Sequence, residues 1–320
     1  METKMDESDC SWTGTNPKVV TGSDRPHFRE FFNNEDFSDV KVFCGNKEFF
    51  GHKIVLSSCS EVFRTMLSSE WCNVDHLTLE ENCQMEEVFA QFLEFLYTWK
   101  ITFNEENITP LLMLADKYMV EGLIRLGITY MIENLSQENV VPWYKFSLQF
   151  NIDALYKKCV TFLGTNFDVF FANRELVKLE VSELMPILDS GTLVTRSEVE
   201  IFFLIVKWMN CYDRAINPAE TMENMAKLMS LVRFPMMAPQ ELEIAENVPN
   251  FWSGPLEKYL LSLHKGYKFH LTGSRTLNKE DERYYVPRIY IRDAVSSVLP
   301  NVTSRKFIPR HTCVTDSELI

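Results

Sequence analysis

Strand-like alternation of apolar and polar residues occurs only in the early part of this chain and stops at Phe103. Val40 and Val42 alternate with Lys41 and Phe43, Glu48-Phe49-Phe50 follows a Gly45-Asn46 turn, and His76-Leu77-Thr78-Leu79 and Ile101-Thr102-Phe103 repeat the pattern. Beyond that point apolar residues recur only at helical spacing. A strand exposes every second side chain to one face and a helix every third or fourth, so the two periods cannot serve the same element. The switch predicts a mixed α/β body to about residue 134 and an all-α body from there to about 262.

Local signals refine this. Gly45-Asn46 suits a two-residue hairpin turn. Ser58-Cys59-Ser60-Glu61 reads as a capping box starting a helix that turns Val62, Phe63, Met66 and Leu67 inward. The run 87–97 has helical spacing, and Thr109-Pro110 reads as an N-cap followed by an N1 proline. Helices are expected at about 110–120, 121–134, 137–150, 151–164, 166–172, 182–188, 198–212, 219–230 and 239–247. The clearest start is a second capping box, Ser197-Glu198-Val199-Glu200. From His264 the pattern weakens, and from Thr303 it is polar and aperiodic. Deleting 275–320 is therefore expected to leave stability almost unchanged. No repeat at solenoid or propeller periods is evident.

Composition then narrows the function. A net charge of −13 over 320 residues, with no dense Lys/Arg tract, argues against a nucleic-acid partner. The longest strongly apolar run, Ile201–Val206, is far too short to span a bilayer, and Met1–Pro26 holds no apolar core of signal-peptide length. A cytoplasmic or nuclear location is expected, with no membrane contact. Eight scattered cysteines form no CxxC pair and no zinc spacing, so they read as thiols, and no metal or other cofactor is expected. The sequons at Asn107, Asn134 and Asn301 read as chance. Glu180, Glu183 and Asp189 read as a solvated helix face, and Met225, Met229, Met236 and Met237 as core filling. No nucleophile elbow, phosphate-binding loop, HExxH, EF-hand or dinucleotide fingerprint is present, so no enzyme is expected.

Five fragments in order carry a family resemblance: Phe37-Ser38-Asp39-Val40, Phe49–Ser57, Ser60–Leu67, Phe95-Leu96-Tyr97-Thr98 and Leu114-Ala115-Asp116-Lys117-Tyr118. Together they resemble a BTB/POZ domain. Leu231-Val232-Arg233-Phe234-Pro235 and Pro239-Gln240-Glu241-Leu242 are similar to the end of the BACK domain that commonly follows it. Tyr284–Arg288 and Tyr290 are faintly similar to the start of the C-terminal domain in the galectin-3-binding-protein-like group of that family. The resemblance implies an α+β BTB/POZ domain, a small sheet flanked by helices, followed by an all-α BACK domain. The expected division is a disordered 1–26, BTB over 27–134, BACK over 135–262, and a partly disordered extension over 263–320.

The resemblance also implies site residues. Phe28, Phe31 and Phe32, at i, i+3 and i+4 of a short helix, either close their own core or pack on a partner protomer; the family pattern implies the partner. Asp39 and Lys53 match positions that form a charged pair buried between protomers, and His52 joins that interface set as a structural hydrogen-bonder. Met66, Leu67, Glu70, Trp71 and Asn73 lie where cullin-3 adaptors carry a hydrophobic-x-Glu docking motif. Trp71 supplies the hydrophobe, but Asn73 replaces the glutamate. Trp99 replaces the usual glycine after Tyr-Thr, so the turn there is expected to differ. The implied function is a homodimeric adaptor that recruits an unknown client to a cullin-3 ubiquitin ligase. A scaffold without a ligase role remains the alternative, with a secreted adhesion-type relative behind it should the N-terminus be incomplete.

Overall fold

The computed structural model describes residues 18–21, 28–68, 75–210, 218–248, 251–252, 254–272 and 284–291, and the chain falls into two compact units, 1–155 and 156–320.

In the first unit β2 (Val40–Cys44) lies between antiparallel β3 (Lys47–Gly51) and parallel β4 (His76–Leu79). Cys44 pairs with Lys47 across the two-residue turn, where Gly45 takes a φ of +56°. A second pair joins β1 (Lys18–Thr21) antiparallel to β5 (Lys100–Phe103). Helices α1 (Lys53–Cys59) and α2 (Glu61–Met66) follow the hairpin, and α3 (Cys83–Thr98) runs through the core. Phe89, Phe92, Phe95 and Tyr97 of α3 are fully buried, each side chain of this kind contributing roughly 1.5–3 kcal/mol. Helix α3 ends on Trp99, which takes the left-handed C-cap conformation (φ +55°) that usually selects glycine. Trp99 thus takes a backbone conformation open to glycine. Its ring lies against Gly122, where a Cβ would stand 2.7 Å from the ring.

Helices α4 (Ile108–Lys117), α5 (Glu121–Glu133) and α6 (Val140–Gln149) complete the unit, and α7 (Asp153–Thr165) carries the chain onward. Two cap readings need correction. Ser58 lies inside α1 and donates to the Val55 carbonyl, while Ser60 caps α2 by accepting from the Phe63 amide. Helix α4 begins before Thr109-Pro110, because Asn104 and Asn107 exchange backbone-to-side-chain bonds of 2.7 and 2.8 Å that start it early. The Asn107 amide group also donates to Gln91 and the Thr102 carbonyl, which leaves it unable to accept a glycan in the fold. The same device recurs one helical hairpin later, where Ser136 and Asn139 start α6. The hairpins also share left-handed turn residues, Met119 and Asn151. A short two-copy repeat is therefore present, too degenerate in sequence to show as a period.

The second unit is helical: α8 (Phe167–Ala172), α9 (Val181–Asp189), α10 (Glu198–Met209), α11 (Pro218–Met229), α12 (Pro239–Glu246) and α13 (Lys258–Thr272). Ile201–Ile205 of α10 are buried, and the Trp208 indole donates to the Leu179 carbonyl at 2.8 Å. The Glu183 carboxylate accepts from the Glu180 amide at 2.8 Å, so it caps α9. Met225, Met229 and Met237 are buried. The nine expected helices are present with ends shifted by up to three residues, but α13 was not foreseen. Its mid-helix Gly266 and its polar residues hide the pattern. The glycine is required there, since a Cβ would come within 2.9 Å of the Phe234 carbonyl oxygen. A short parallel pair, β6 (Val194–Thr195) with β7 (Ile289–Tyr290), returns the chain to this unit. Among the described residues no helix is long and apolar enough to cross a membrane.

Candidate functional site

The expected interface residues of the first unit gather around His52. Its ring is buried, with Nε2 3.1 Å from the Asp36 carbonyl and Nδ1 3.1 Å from the Tyr97 hydroxyl. A carbonyl can only accept, so Nε2 carries a proton, and Nδ1 is paired with the Tyr97 hydroxyl. Burial pushes the Tyr97 phenol up to about 12, which keeps it protonated. The same oxygen accepts from the His52 backbone amide at 3.0 Å. His52 is therefore bonded at both ring nitrogens, a positioning group for the aromatic rings around it.

Those rings form the surface. Phe31 meets His52 edge-on at 5.7 Å, Phe32 meets Tyr97 at 5.9 Å, and Phe28 lies 6.4 Å from Phe31. The expected short helix is only one 3-10 turn, Arg29–Phe31, because Phe32 is extended and directed to Tyr97. Phe28 is 43% exposed, and Phe31 and Phe32 are half-buried. The structure adds two residues to this surface. Phe37, 6.1 Å from Phe31, is 86% exposed and left-handed (φ +60°), and Ile54 on α1 is 79% exposed. A bulky side chain held in the left-handed region and turned to solvent is unusual on both counts. The signal for Phe37 was legible as a lone aromatic among Asn34, Glu35, Asp36, Ser38 and Asp39.

Asp39 and Lys53 do meet, through the backbone: the Lys53 amide donates to Asp39 Oδ1 at 2.7 Å, so the carboxylate caps the start of α1. Within one chain Asp39 is exposed and Lys53 half-buried. Of the expected cullin-docking residues, Met66 ends α2 and is 37% exposed, and Leu67 is half-buried. Glu70, Trp71 and Asn73 lie outside the described residues.

The second unit holds a polar cluster that the sequence did not announce. Glu198, at the first turn of α10, is fully buried and pairs with Arg288 Nε at 2.8 Å. The Arg288 guanidinium also donates to the Leu188 and Leu231 carbonyls. The Tyr290 hydroxyl donates to Glu198 Oε1 at 3.0 Å, and the Arg233 amide to Oε2 at 3.1 Å. Burial and the neighbouring Arg288 pull the Arg233 guanidinium below its usual value. Its Nη1 donates to the Val286 carbonyl at 2.7 Å. Tyr285 is buried against Phe269, and the Tyr284 hydroxyl donates to the Ser230 carbonyl. Residues 284–291 are thus docked by a fully bonded ion pair, against the expectation that this stretch makes few buried contacts. Ser197 caps α10 by accepting from the Val199 amide, but the expected capping box does not form, because Glu200 accepts from the Arg196 amide and the Thr195 hydroxyl instead.

A three-stranded sheet with flanking helices, followed by a helical array, makes a two-part module. The comparisons agree. Residues 28–135 match the BTB/POZ domain family, and residues 140–246 match BACK, "BTB And C-terminal Kelch". The chain belongs to the BTB–BACK proteins. It is 26% identical to rat (Rattus norvegicus) Kelch-like protein 24 over 78% of this chain and 41% of that one. It is 29% identical to BTB/POZ domain-containing protein 17 of Xenopus laevis over 60% of this chain and 39% of that one. Against the mouse (Mus musculus) form of protein 17, the figures are 27% identity, 78% and 51%. The chain therefore spans about two fifths to one half of the length of these relatives.

Proposed function

We propose that this chain is a non-enzymatic, homodimeric adaptor that joins a client protein to a cullin-3 ubiquitin ligase. The observation that carries the dimer is the exposed apolar surface of Phe28, Phe37 and Ile54, set beside the Asp39-capped start of α1. Exposed apolar surface of this kind marks an interaction site, and aromatic residues dominate interface energetics. A second protomer seated there would bury Asp39 and Lys53 as the family pattern implies. The cullin contact rests on the BTB–BACK membership and on Trp71 as its anchor. The thiols of Cys44, Cys83 and Cys159 are free, in keeping with work in the reducing cytoplasm or nucleus.

Light scattering on the full chain is expected to give twice the monomer mass at micromolar concentration; a clean monomer would overturn the dimer. Capture of the cullin-3 N-terminal region tests the rest. Trp71→Ala is expected to weaken it by about 2 kcal/mol, as a central aromatic does. Asn73→Glu is expected to tighten it by about 1 kcal/mol through a charge-assisted hydrogen bond. A scaffold without a ligase role is favoured by Asn73 standing where a glutamate is expected. Absence of capture by the native chain and by Asn73→Glu alike would put that reading in the adaptor's place.

A further inference from the structure

Stripped of residues 284–291, the cluster around Glu198 has the makings of a guanidinium receptor. One buried carboxylate and the carbonyls of Leu188 and Leu231 converge on a single arginine, with the β6 edge alongside to pair an extended backbone. The resident segment uses this receptor sparingly. Arg288 and Tyr285 are its buried anchors, only two residues pair with β6, and Val286, Ile289 and Ile291 remain exposed. That is the economy of a short extended peptide docking by a side-chain anchor and a strand edge.

The cluster also holds a second cation. Arg233 already donates its amide to Glu198, and its guanidinium is spent on Val286, a residue of the resident segment. If the segment leaves, the Arg233 guanidinium loses that acceptor while Glu198 loses its ion-pair partner. The two are near enough to interact electrostatically. Departure of Arg288 therefore need not strand a buried carboxylate, which is what makes most buried ion pairs irreversible parts of a core.

We propose that the slot formed by β6, Glu198 and the Leu231–Arg233 turn is a self-filled binding site for a partner protein's extended segment bearing an arginine between aliphatic or aromatic residues. The chain's own 284–291 is its resident competitor. Being tethered, the resident lowers the apparent affinity of any incoming segment by the fraction of time the slot is open. A second copy's segment would bring the same contacts without the tether and gains nothing over the resident. A partner segment that pairs with more of the chain along β6 than the resident's two residues do can prevail. The site does not depend on whether cullin-3 is bound.

The test uses a fluorescent peptide of residues 284–291 and the full chain. Native protein is expected to bind it weakly, and Arg288→Ala, whose own segment has lost its anchor, at least tenfold more tightly. The peptide carrying Gln in place of its arginine is expected not to bind, and Glu198→Gln in the Arg288→Ala background is expected to abolish binding. Because Arg288→Ala could fail to fold, a second form keeps the native residues and carries a protease site between Thr272 and Tyr284. After cleavage the labelled peptide is expected to exchange into the slot. Lack of exchange in the cut protein overturns the proposal, leaving a purely structural ion pair, as does equal binding of the Arg and Gln peptides. Growth in mass beyond the parent oligomer on cleavage would also overturn it, in favour of segment exchange between copies.

Discussion

The two units place their polar and apolar side chains in opposite ways. In the first, His52 is taken inside and satisfied by Tyr97 and Asp36, while Phe28, Phe37 and Ile54 are left at the surface. In the second, the aromatic residues Phe202, Phe234 and Phe251 are inside, and the charge of Glu198 goes in with them, neutralised by Arg288 from far along the chain. Unpaired apolar surface gains from any complementary cover, so the first arrangement invites a partner. A buried carboxylate admits only a matching cation with its hydrogen bonds in place, so the second selects one. One unit advertises area and the other demands chemistry.

The largest expected effect tests that demand. Glu198→Ala removes the acceptor of Arg288, Tyr290 and the Arg233 amide at once, and is expected to cost about 3–5 kcal/mol in urea denaturation. Arg288→Ala is expected to cost measurably less, because Arg233 can turn to the carboxylate. Equal losses would mean that Arg233 does not move and that the pair is a fixed strut. In the first unit the corresponding internal test is Tyr97→Phe. It strips the buried His52 amide of its acceptor and Nδ1 of its partner, an effect of about 2 kcal/mol in the same measurement. Its size relative to Glu198→Ala says whether the His52–Tyr97 centre or the ion pair holds its unit more firmly. A loss below about 0.5 kcal/mol, within the range of a surface change, would mean that water replaces the hydroxyl.

How far the sequence revealed each unit follows the same division. The sheet, the hairpin at Gly45-Asn46 and nine helices were legible because they are written in local periodicity and turn chemistry. So was the aromatic cluster at Phe28, Phe31 and Phe32, although the helix expected to carry it proved to be a single turn. The start of α4 was misplaced because the Asn104–Asn107 exchange competes with the Thr-Pro signal and sets the cap two residues earlier. Helix α13 was missed because the glycine that lets it approach the Phe234 carbonyl also breaks its pattern. The Glu198–Arg288 pair was invisible for a different reason. Glu198 looked like part of a capping box and Arg288 like part of an aperiodic tail, and nothing local links positions so far apart. Two tyrosines and an arginine in Tyr284–Arg288 were noticed as a resemblance, but their anchoring role needs the fold.

The smallest expected effect sharpens the other half of the comparison. If the surface around His52 exists for a partner, Phe37 is held in a strained backbone conformation for the sake of an interaction outside its own chain. A non-glycine residue in the left-handed region costs roughly 1–2 kcal/mol, and glycine removes that cost. The substitution also forfeits the edge contact with Phe31, worth about 0.5–1.5 kcal/mol. Since Phe37 is mostly exposed in one chain, little burial is lost with it. Phe37→Gly is therefore expected to change the stability of the isolated protomer by between about −0.5 and +1.5 kcal/mol, centred on a gain of about 0.5, by the difference of those two effects. Self-association is expected to fall by about 1 kcal/mol or more, roughly fivefold in the dimer dissociation constant measured by sedimentation. Opposite signs in the two measurements would identify strain retained for binding. A loss of protomer stability with dimerisation unchanged would instead assign Phe37 to its own chain's packing, and the dimer surface would have to be sought away from it.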